Sequence, residues 1–259
     1  MLKQNASELK WFCGVSLSWQ GNAPGRYEQG YMTVFKRILA FFVVIFGLSA
    51  PTLGASKIVM NGLFGSREIP STNMKSFDKW TDMWRRHNLP RSETELTPQE
   101  PGTVTCRGLA RIQCGRDAWE EFITDHKELS GFELLEAVNQ YMNKSPYIVD
   151  PVNWGIPDYW ATPDEFFLKD GDCEDYAISK YITLKRLGVP IDTMRLVILQ
   201  DENLRTAHAV LAVESEGETY ILDNQIDAVL PHRQILHYRP VYSINETTWW
   251  LHQVKRFSR

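Results

Sequence analysis

The sequence predicts an α+β fold in which a helical N-terminal portion packs on an antiparallel sheet. Apolar residues recur at helical spacing from Phe77 to about Gly188, and after Pro190 the pattern changes to short apolar runs typical of strands. The chain has 259 residues, of which 43% are hydrophobic, so it can bury one large core. The net charge is −4 and no basic stripe is present, which argues against nucleic-acid binding.

Each predicted element follows from its own pattern. The predicted helices are 77–87, 117–128, 131–143 and one that begins at about Cys173. The last of these should stop at Gly188, because a glycine followed two residues later by a proline is a helix stop signal. The predicted strands are 194–199, 207–213, 219–222 and one around 249–254. A loop rich in proline and aromatic residues, 145–167, precedes the Cys173 helix.

The N-terminal quarter is predicted to be a targeting segment. Lys36 and Arg37 precede the apolar run 38–48, and small residues follow up to Ala55, as in a signal peptide. Such a peptide begins near its charged region, so we expect translation to start at Met32 and residues 1–31 to be absent from the protein. The organisation expected is a signal peptide at 32–55, a linker at 56–73 and one enzyme domain at 74–259. The alternative is an uncleaved membrane anchor, for which the run is short.

Export would place the cysteines in an oxidising compartment. Cys106, Cys114 and Cys173 then remain, and an odd number implies a free thiol. Cys106 and Cys114 are close enough in sequence for a local disulfide, which would leave Cys173 free to react. Two independent buried thiols are an equally good interpretation, because spacing alone does not prove pairing.

The segment 171–177 reads Gly-Asp-Cys-Glu-Asp-Tyr-Ala and places Cys173 among three carboxylates at the predicted start of a helix. Reactive thiols favour helix N-termini, where the macrodipole and the backbone N–H groups stabilise a thiolate. Cys173 is therefore the candidate nucleophile.

A predicted β-hairpin supplies the histidine and the aspartate that could act together with Cys173. If the turn centres on Ser215 and Glu216, the paired residue numbers sum to 431, and His208 lies opposite Asp223 on the same face. A slip of one residue would place the two side chains on opposite faces. A cysteine, a histidine and an aspartate arranged in this way can form a triad in which the histidine takes the thiol proton and the aspartate orients the imidazole ring.

Four segments carry a resemblance to a known family: 154–166, 171–177, 208–211 and 222–224. They closely resemble the bacterial transglutaminase-like cysteine proteinases over residues 77–257. The resemblance implies a papain-like, transglutaminase-like fold and peptide-bond hydrolysis. It assigns Cys173 as nucleophile, His208 as general base and acid, and Asp223 as the orienting carboxylate.

Three carboxylates beside a thiol would by themselves raise its pKa and oppose its ionisation. A hard cation held by oxygen ligands would offset Asp172, Glu174 and Asp175, and Ca²⁺ tolerates irregular oxygen cages. The alternative is an ordinary solvated helix start, where acidic residues are favourable. The resemblance favours calcium, with these three residues as ligands. For the oxyanion hole the candidates are backbone N–H groups at the helix start, assisted by Asn153 or Trp154.

The resemblance further implies a calcium-dependent periplasmic endopeptidase that trims the N-terminal region of a large, repeat-rich surface adhesin and so controls biofilm attachment. An inner-membrane cyclic-di-GMP receptor of the LapD type would sequester it. Three alternatives remain: a transglutaminase with the same triad, a peptidoglycan-directed Cys-His-Asp hydrolase, and a non-catalytic calcium-dependent binding module.

Overall fold

The computed structural model describes residues 62–89 and 110–254. Within these residues the helices are α1 (Asp78–His87), α2 (Ala110–Asp125), α3 (Gly131–Met142), α4 (Asp150–Asn153), α5 (Pro163–Lys169) and α6 (Cys173–Arg186). The strands are β1 (Arg67–Ser71), β2 (Met194–Asp201), β3 (Thr206–Ser215), β4 (Glu218–Leu222), β5 (Leu230–Pro231), β6 (Tyr238–Ile244) and β7 (Trp249–Gln253). All seven strands belong to one antiparallel sheet with the order β1-β7-β6-β2-β3-β4-β5. The α+β fold predicted from the sequence is confirmed.

Successive side chains of the central strands point to opposite faces of the sheet, and this divides the core into two layers. Leu196 and Ile198 of β2 pack with the helices in the larger cluster, whereas Val197 and Leu199 point to the opposite face and join a smaller cluster. In the larger cluster α6 packs on β2 and β3 and is almost entirely buried. This position brings the N-terminus of α6, with Cys173, to the sheet that carries the predicted histidine.

The ends of the two helices nearest the site follow from local sequence. At the start of α5 the Thr162 hydroxyl accepts from the backbone N–H of Glu165, and the Glu165 carboxylate accepts from the N–H of Thr162. This capping box satisfies two N–H groups that a helix start leaves without partners. The helix that begins with Cys173, α6, ends before Gly188, and Gly188 has a φ of 89°. The helix stop predicted at Gly188 is confirmed.

The predicted centre of the β3–β4 hairpin is wrong by one residue. Ser215 pairs with Glu218, so the turn residues are Glu216 and Gly217, with φ of 55° and 79°. Two consecutive positive φ values make the tight turn that suits the strand twist, and glycine adopts such values without strain. Paired numbers therefore sum to 433 rather than 431, because Leu211 faces Leu222. The shift is two residues, so the side chains of the strand stay on their predicted faces.

Three observed strands were not predicted from the sequence, namely β1, β5 and β6. β1 lies within 56–73, where the sequence analysis predicts a linker, and pairs with β7 at the edge of the sheet. β6 lies between β2 and β7 in the sheet order. Each of the three contains a proline, Pro70 in β1, Pro231 in β5 and Pro240 in β6, and a proline argues against a strand on sequence grounds.

The predictions for residues 1–61, including the translation start, the signal peptide and its cleavage, lie outside the described residues. All described residues belong to one compact unit. Within the described part of the chain, each helix is too short or too polar to cross a membrane.

Candidate active site

Cys173 begins α6 and is buried. The backbone N–H of Asp172 donates to Oδ2 of Asp175, which closes the turn before the helix at 3.2 Å. A Cβ atom on Gly171 would lie 2.3 Å from that same oxygen, so this position accepts only glycine. The Gly-Asp-Cys-Glu-Asp sequence therefore fixes the backbone that presents the Cys173 sulfur.

The sulfur is not a free thiol in this structure. Cys114 and Cys173 are both disulfide-bonded. This differs from the expectation that Cys173 is free. Cys106 is not described either, so the proposed Cys106–Cys114 pair remains a prediction. Thiolate chemistry at Cys173 would therefore require the reduced form of the chain.

His208 and Asp223 form the second part of the site. Nε2 of His208 lies 2.9 Å from Oδ1 of Asp223, and both side chains are buried. The structure thus brings together the two residues that the hairpin argument paired. They meet although the register is shifted by two, because Asp223 follows β4 directly and remains within reach diagonally across the strands.

The Asp223 carboxylate is ionised in this environment. Burial alone would raise its pKa, but hydrogen bonds from His208, Tyr238 and the backbone N–H of Gln225 together hold the pKa below its usual value. Since Nε2 of His208 is engaged by Asp223, Nδ1 is the nitrogen that remains to face a thiol. No hydrogen bond joins the described atoms of Cys173 and His208.

Asn139 of α3 and Asn143, which directly follows this helix, hold the segment that carries Asp223. The Nδ2 atom of Asn143 donates to the backbone oxygen of Asp223 at 2.9 Å, and Nδ2 of Asn139 donates to the backbone oxygens of Ile226 and Asp227. Asn139 in turn accepts from Nζ of the buried Lys180 at 2.7 Å. The helical layer thus fixes the backbone after β4, and this support was not predicted from the sequence.

The third part of the site is a buried cluster of carboxylates around the α6 N-terminus. Side-chain ligand atoms of three sets lie within 4.8 Å of one another: Asp172, Cys173 and Glu174; Asp150, Asp158 and Glu174; and Asp150, Asp172 and Asp175. The three predicted metal-binding residues therefore do lie together. Asp150, at the start of α4, and Asp158 complete the cluster, and neither belongs to the sequence motif around Cys173 that predicted the other ligands.

Several oxygens in this cluster lack a partner. Oδ1 of Asp150, Oδ1 of Asp158 and Oδ1 of Asp172 are buried and accept no hydrogen bond from a described residue. A buried acceptor left without a donor is unfavourable by about 1–3 kcal/mol, so three in one cluster require an explanation. The donor set consists of carboxylate oxygens, which suits a hard cation.

The charges of the cluster oppose one another. Burial, followed by the charge of Asp172, raises the pKa of Asp150 to about 7. Burial and the same neighbour also raise the pKa of Glu174 and of Asp175 well above their usual values. Lys79 forms an ion pair with Asp158, but one positive charge does not balance five carboxylates, so they cannot all be ionised without a further cation. Sγ of Cys173 lies 3.3 Å from Oε2 of Glu174, so the cluster directly adjoins the candidate nucleophile.

The two oxyanion-hole candidates differ in their contacts. Nδ2 of Asn153 donates to the backbone oxygen of Asp170 at 3.2 Å, which supports the strained residue before Gly171, with a φ of 62°. Nε1 of Trp154 is buried and donates to no described acceptor. Asn153 is therefore a structural support in this form, and Trp154 retains an available donor.

A model of one family matches residues 106–255, more than half of the chain, and that family is described as the bacterial transglutaminase-like cysteine proteinases. The chain belongs to this family. The family match and the site geometry together support a cysteine protease with a transglutaminase-like fold, as the sequence resemblance indicated.

Solved structures of a family member are also similar to this chain. LapG of Legionella pneumophila is 34% identical, with a TM-score of 0.49 over 55% of this chain and 86% of that chain. Its calcium-bound form is 33% identical, with a TM-score of 0.49 over 59% of this chain and 92% of that chain. An EGTA-treated form of the same protein matches similarly, with 34% identity and a TM-score of 0.48 over 55% of this chain and 83% of that chain. Among curated proteins, none matches this chain.

Proposed function

We propose that this protein is a calcium-dependent cysteine endopeptidase of the periplasm. The reaction begins with the reduced Cys173 thiol, whose proton passes to Nδ1 of His208. The thiolate attacks the peptide carbonyl, and the imidazolium then protonates the leaving amine, which leaves an acyl-thioenzyme. Water activated by His208 hydrolyses that ester. Asp223 holds the ring and stabilises its charged form.

The observation that supports calcium is the set of unpartnered carboxylate oxygens beside the nucleophile. Asp150, Asp158 and Asp172 each contribute one, and Glu174 and Asp175 complete the cluster. These residues fit Ca²⁺, which binds six to eight oxygens and accepts irregular arrangements. Among the described residues, Lys79 forms an ion pair with Asp158 alone, and a bound cation would supply the further positive charge that the other carboxylates need.

The substrate and partner proposals rest on the family. We expect cleavage within the N-terminal region of a large, repeat-rich surface adhesin, which would release the adhesin and weaken biofilm attachment. A LapD-type inner-membrane cyclic-di-GMP receptor is the expected regulator. A transglutaminase would use the same triad with an amine as acceptor, so the products of the assay below also distinguish these two activities.

The test is calcium titration of the purified, reduced protein after treatment with EGTA. At a calcium concentration 100 times the dissociation constant, a ligand that binds only the folded state stabilises it by about 2.7 kcal/mol. For a domain of this size that corresponds to a rise of roughly 5–10 °C in melting temperature. Magnesium should give a much smaller rise, because it requires octahedral geometry and releases water reluctantly.

Two variants localise the effect. Asp172→Ala should abolish both the calcium-dependent rise and cleavage of an adhesin N-terminal fragment, although Cys173 is intact. Asp192→Asn, which alters an exposed carboxylate in the turn before β2, should leave both unchanged. Full cleavage in excess EGTA, with no change in melting temperature on adding calcium, would show that the cluster does not bind a required cation.

A further inference from the structure

Asp223 is held at both of its carboxylate oxygens. Oδ1 accepts from Nε2 of His208 and from the backbone N–H of Gln225, each at 2.9 Å. Oδ2 accepts from the hydroxyl of Tyr238 at 2.5 Å. The side chain of Asp223 is completely buried, so Oδ2 has no access to water that could replace this donor. Tyr238 therefore satisfies an oxygen that would otherwise be buried without a partner.

We propose that Tyr238 is a positioning residue of the triad, whose hydroxyl fixes the plane of the Asp223 carboxylate so that Oδ1 faces His208. The torsion that rotates a carboxylate is broad, so donors on one oxygen do not fix its plane. A donor on the second oxygen removes that freedom. The imidazole is then held with Nδ1 directed away from Asp223, as the thiol step requires. This inference rests on the proposed function.

The ring of Tyr238 supports the same role. It meets the imidazole of His208 edge-on, with the ring centroids 5.7 Å apart and the ring planes at 60°. On its other sides it contacts Phe64, at 5.7 Å between centroids, and His237, at 4.5 Å. One residue thus contacts the base through its ring and the orienting acid through its hydroxyl. Packing from Phe64 and His237 holds it in that position.

Tyr238 remains a donor over the working pH range. Burial and the adjacent charge of Asp223 raise the pKa of Tyr238 well above its ordinary value. Its proton is therefore available to Asp223 whenever the carboxylate is ionised. Tyr238 begins β6 and pairs with Asp201 of β2, so the sheet itself fixes its backbone.

The test removes the hydroxyl and keeps the ring. In Tyr238→Phe we expect kcat for the adhesin fragment to fall roughly tenfold or more, because a hydrogen bond to a charged group is lost, while KM stays within about twofold. The proton on Nε2 of His208 gives a low-field NMR resonance that needs no substrate. This resonance should shift or broaden in Tyr238→Phe, since the carboxylate that accepts it is no longer fixed.

Tyr181→Phe is the matched control. Tyr181 is also a buried tyrosine, and its hydroxyl lies 3.3 Å from a carboxylate oxygen, that of Glu246, but it has no contact with His208 or Asp223. Its loss should leave kcat and the resonance unchanged. In an Asp223→Asn background, adding Tyr238→Phe should change kcat less than twofold, because Tyr238 acts through the carboxylate.

The outcomes separate the inference from the proposed function. If His208→Ala and Asp223→Asn leave cleavage intact, the triad itself is wrong. If those two variants are impaired while Tyr238→Phe keeps its kcat and its resonance, only the role of Tyr238 is refuted. Equal loss of kcat with and without Asp223, or an unfolded Tyr238→Phe judged by circular dichroism, would assign Tyr238 to packing and also overturn the inference.

Discussion

Lys180 should make the stability of this protein depend on pH in an unusual direction. It lies two turns after Cys173 on α6, is completely buried and donates to Oδ1 of Asn139 at 2.7 Å. Burial lowers the pKa of Lys180 to about 7, although the charges of Asp223 and Asp227 partly oppose the shift. Its nitrogen also lies 5.8 Å from the centre of the Tyr176 ring.

The sign follows from proton binding in the two states. Below about pH 7 Lys180 is protonated in both the folded and the unfolded chain, so the folded state bears the full penalty of a buried cation. Between about pH 7 and 10.5 the unfolded chain keeps the proton and the folded chain releases it. The free energy of unfolding therefore rises with pH in this window. The contribution of Lys180 is at most about 1.4 kcal/mol per pH unit, or ~5 kcal/mol over the difference between 10.5 and about 7.

The perturbation is Lys180→Met, which keeps the length of the side chain and removes its charge. Urea unfolding at pH 6 to about 10 gives the free energy of unfolding of each protein. The difference between the native chain and Lys180→Met should rise steeply with pH, since all other titrating groups cancel. The lost hydrogen bond to Asn139 lowers the stability of the variant by about 1–3 kcal/mol at every pH. This constant loss of stability shifts the plot of the free-energy difference against pH without changing its slope.

Lys144→Met is the control, because Lys144 lies 5.9 Å from the centre of the Tyr141 ring but is exposed. Its curve should run parallel to that of the native chain. Parallel curves for Lys180→Met as well would refute the reasoning, since they would mean that Lys180 binds its proton equally in both states.

The remaining predictions concern the nucleophile, its partners and the N-terminus. In the reduced protein, Cys173→Ala should abolish cleavage and leave the melting temperature nearly unchanged, and retained cleavage by the pure variant would exclude a cysteine protease. His208→Ala should be about as damaging, whereas Asp223→Asn should retain some activity, because a residue that orients the base contributes less than the base itself; equal losses in steady-state assays would contradict that division. Mature protein from a periplasmic fraction should begin near Ser56 by N-terminal sequencing, and a chain that begins at Met32 would indicate a retained membrane anchor instead.

The sequence was sufficient for the local features of the site. Asp172, Glu174 and Asp175 are consecutive neighbours of Cys173, so their clustering follows from one helix start. The pairing of His208 with Asp223 was predicted from a turn centre that is wrong by one residue. It survived because the resulting shift in register is even, which preserves the face of each side chain. An odd shift would have separated the two residues.

The features that were missed depend on distant parts of the chain. Two hydrogen bonds place Asp150 in the cluster. The backbone N–H of Asp150 donates to Oδ2 of Asp172, which lies 22 residues later, and the backbone N–H of Tyr159 donates to the carboxylate of Asp150. Tyr238 reaches Asp223 from a different strand. Neither contact leaves a periodic pattern or a motif in the sequence, because each requires the folded arrangement of separate elements.

Glu174 connects the two halves of the proposed chemistry. It belongs both to the set that contains Cys173 and to the set that contains Asp150 and Asp158. A thiolate formed at Cys173 would lie beside Glu174 and add a further negative charge to a cluster in which burial already raises the carboxyl pKa values. A cation that engages the carboxylates removes this repulsion. Because one carboxylate takes part in both groups, cation binding favours ionisation of the thiol, and by linkage ionisation of the thiol favours cation binding.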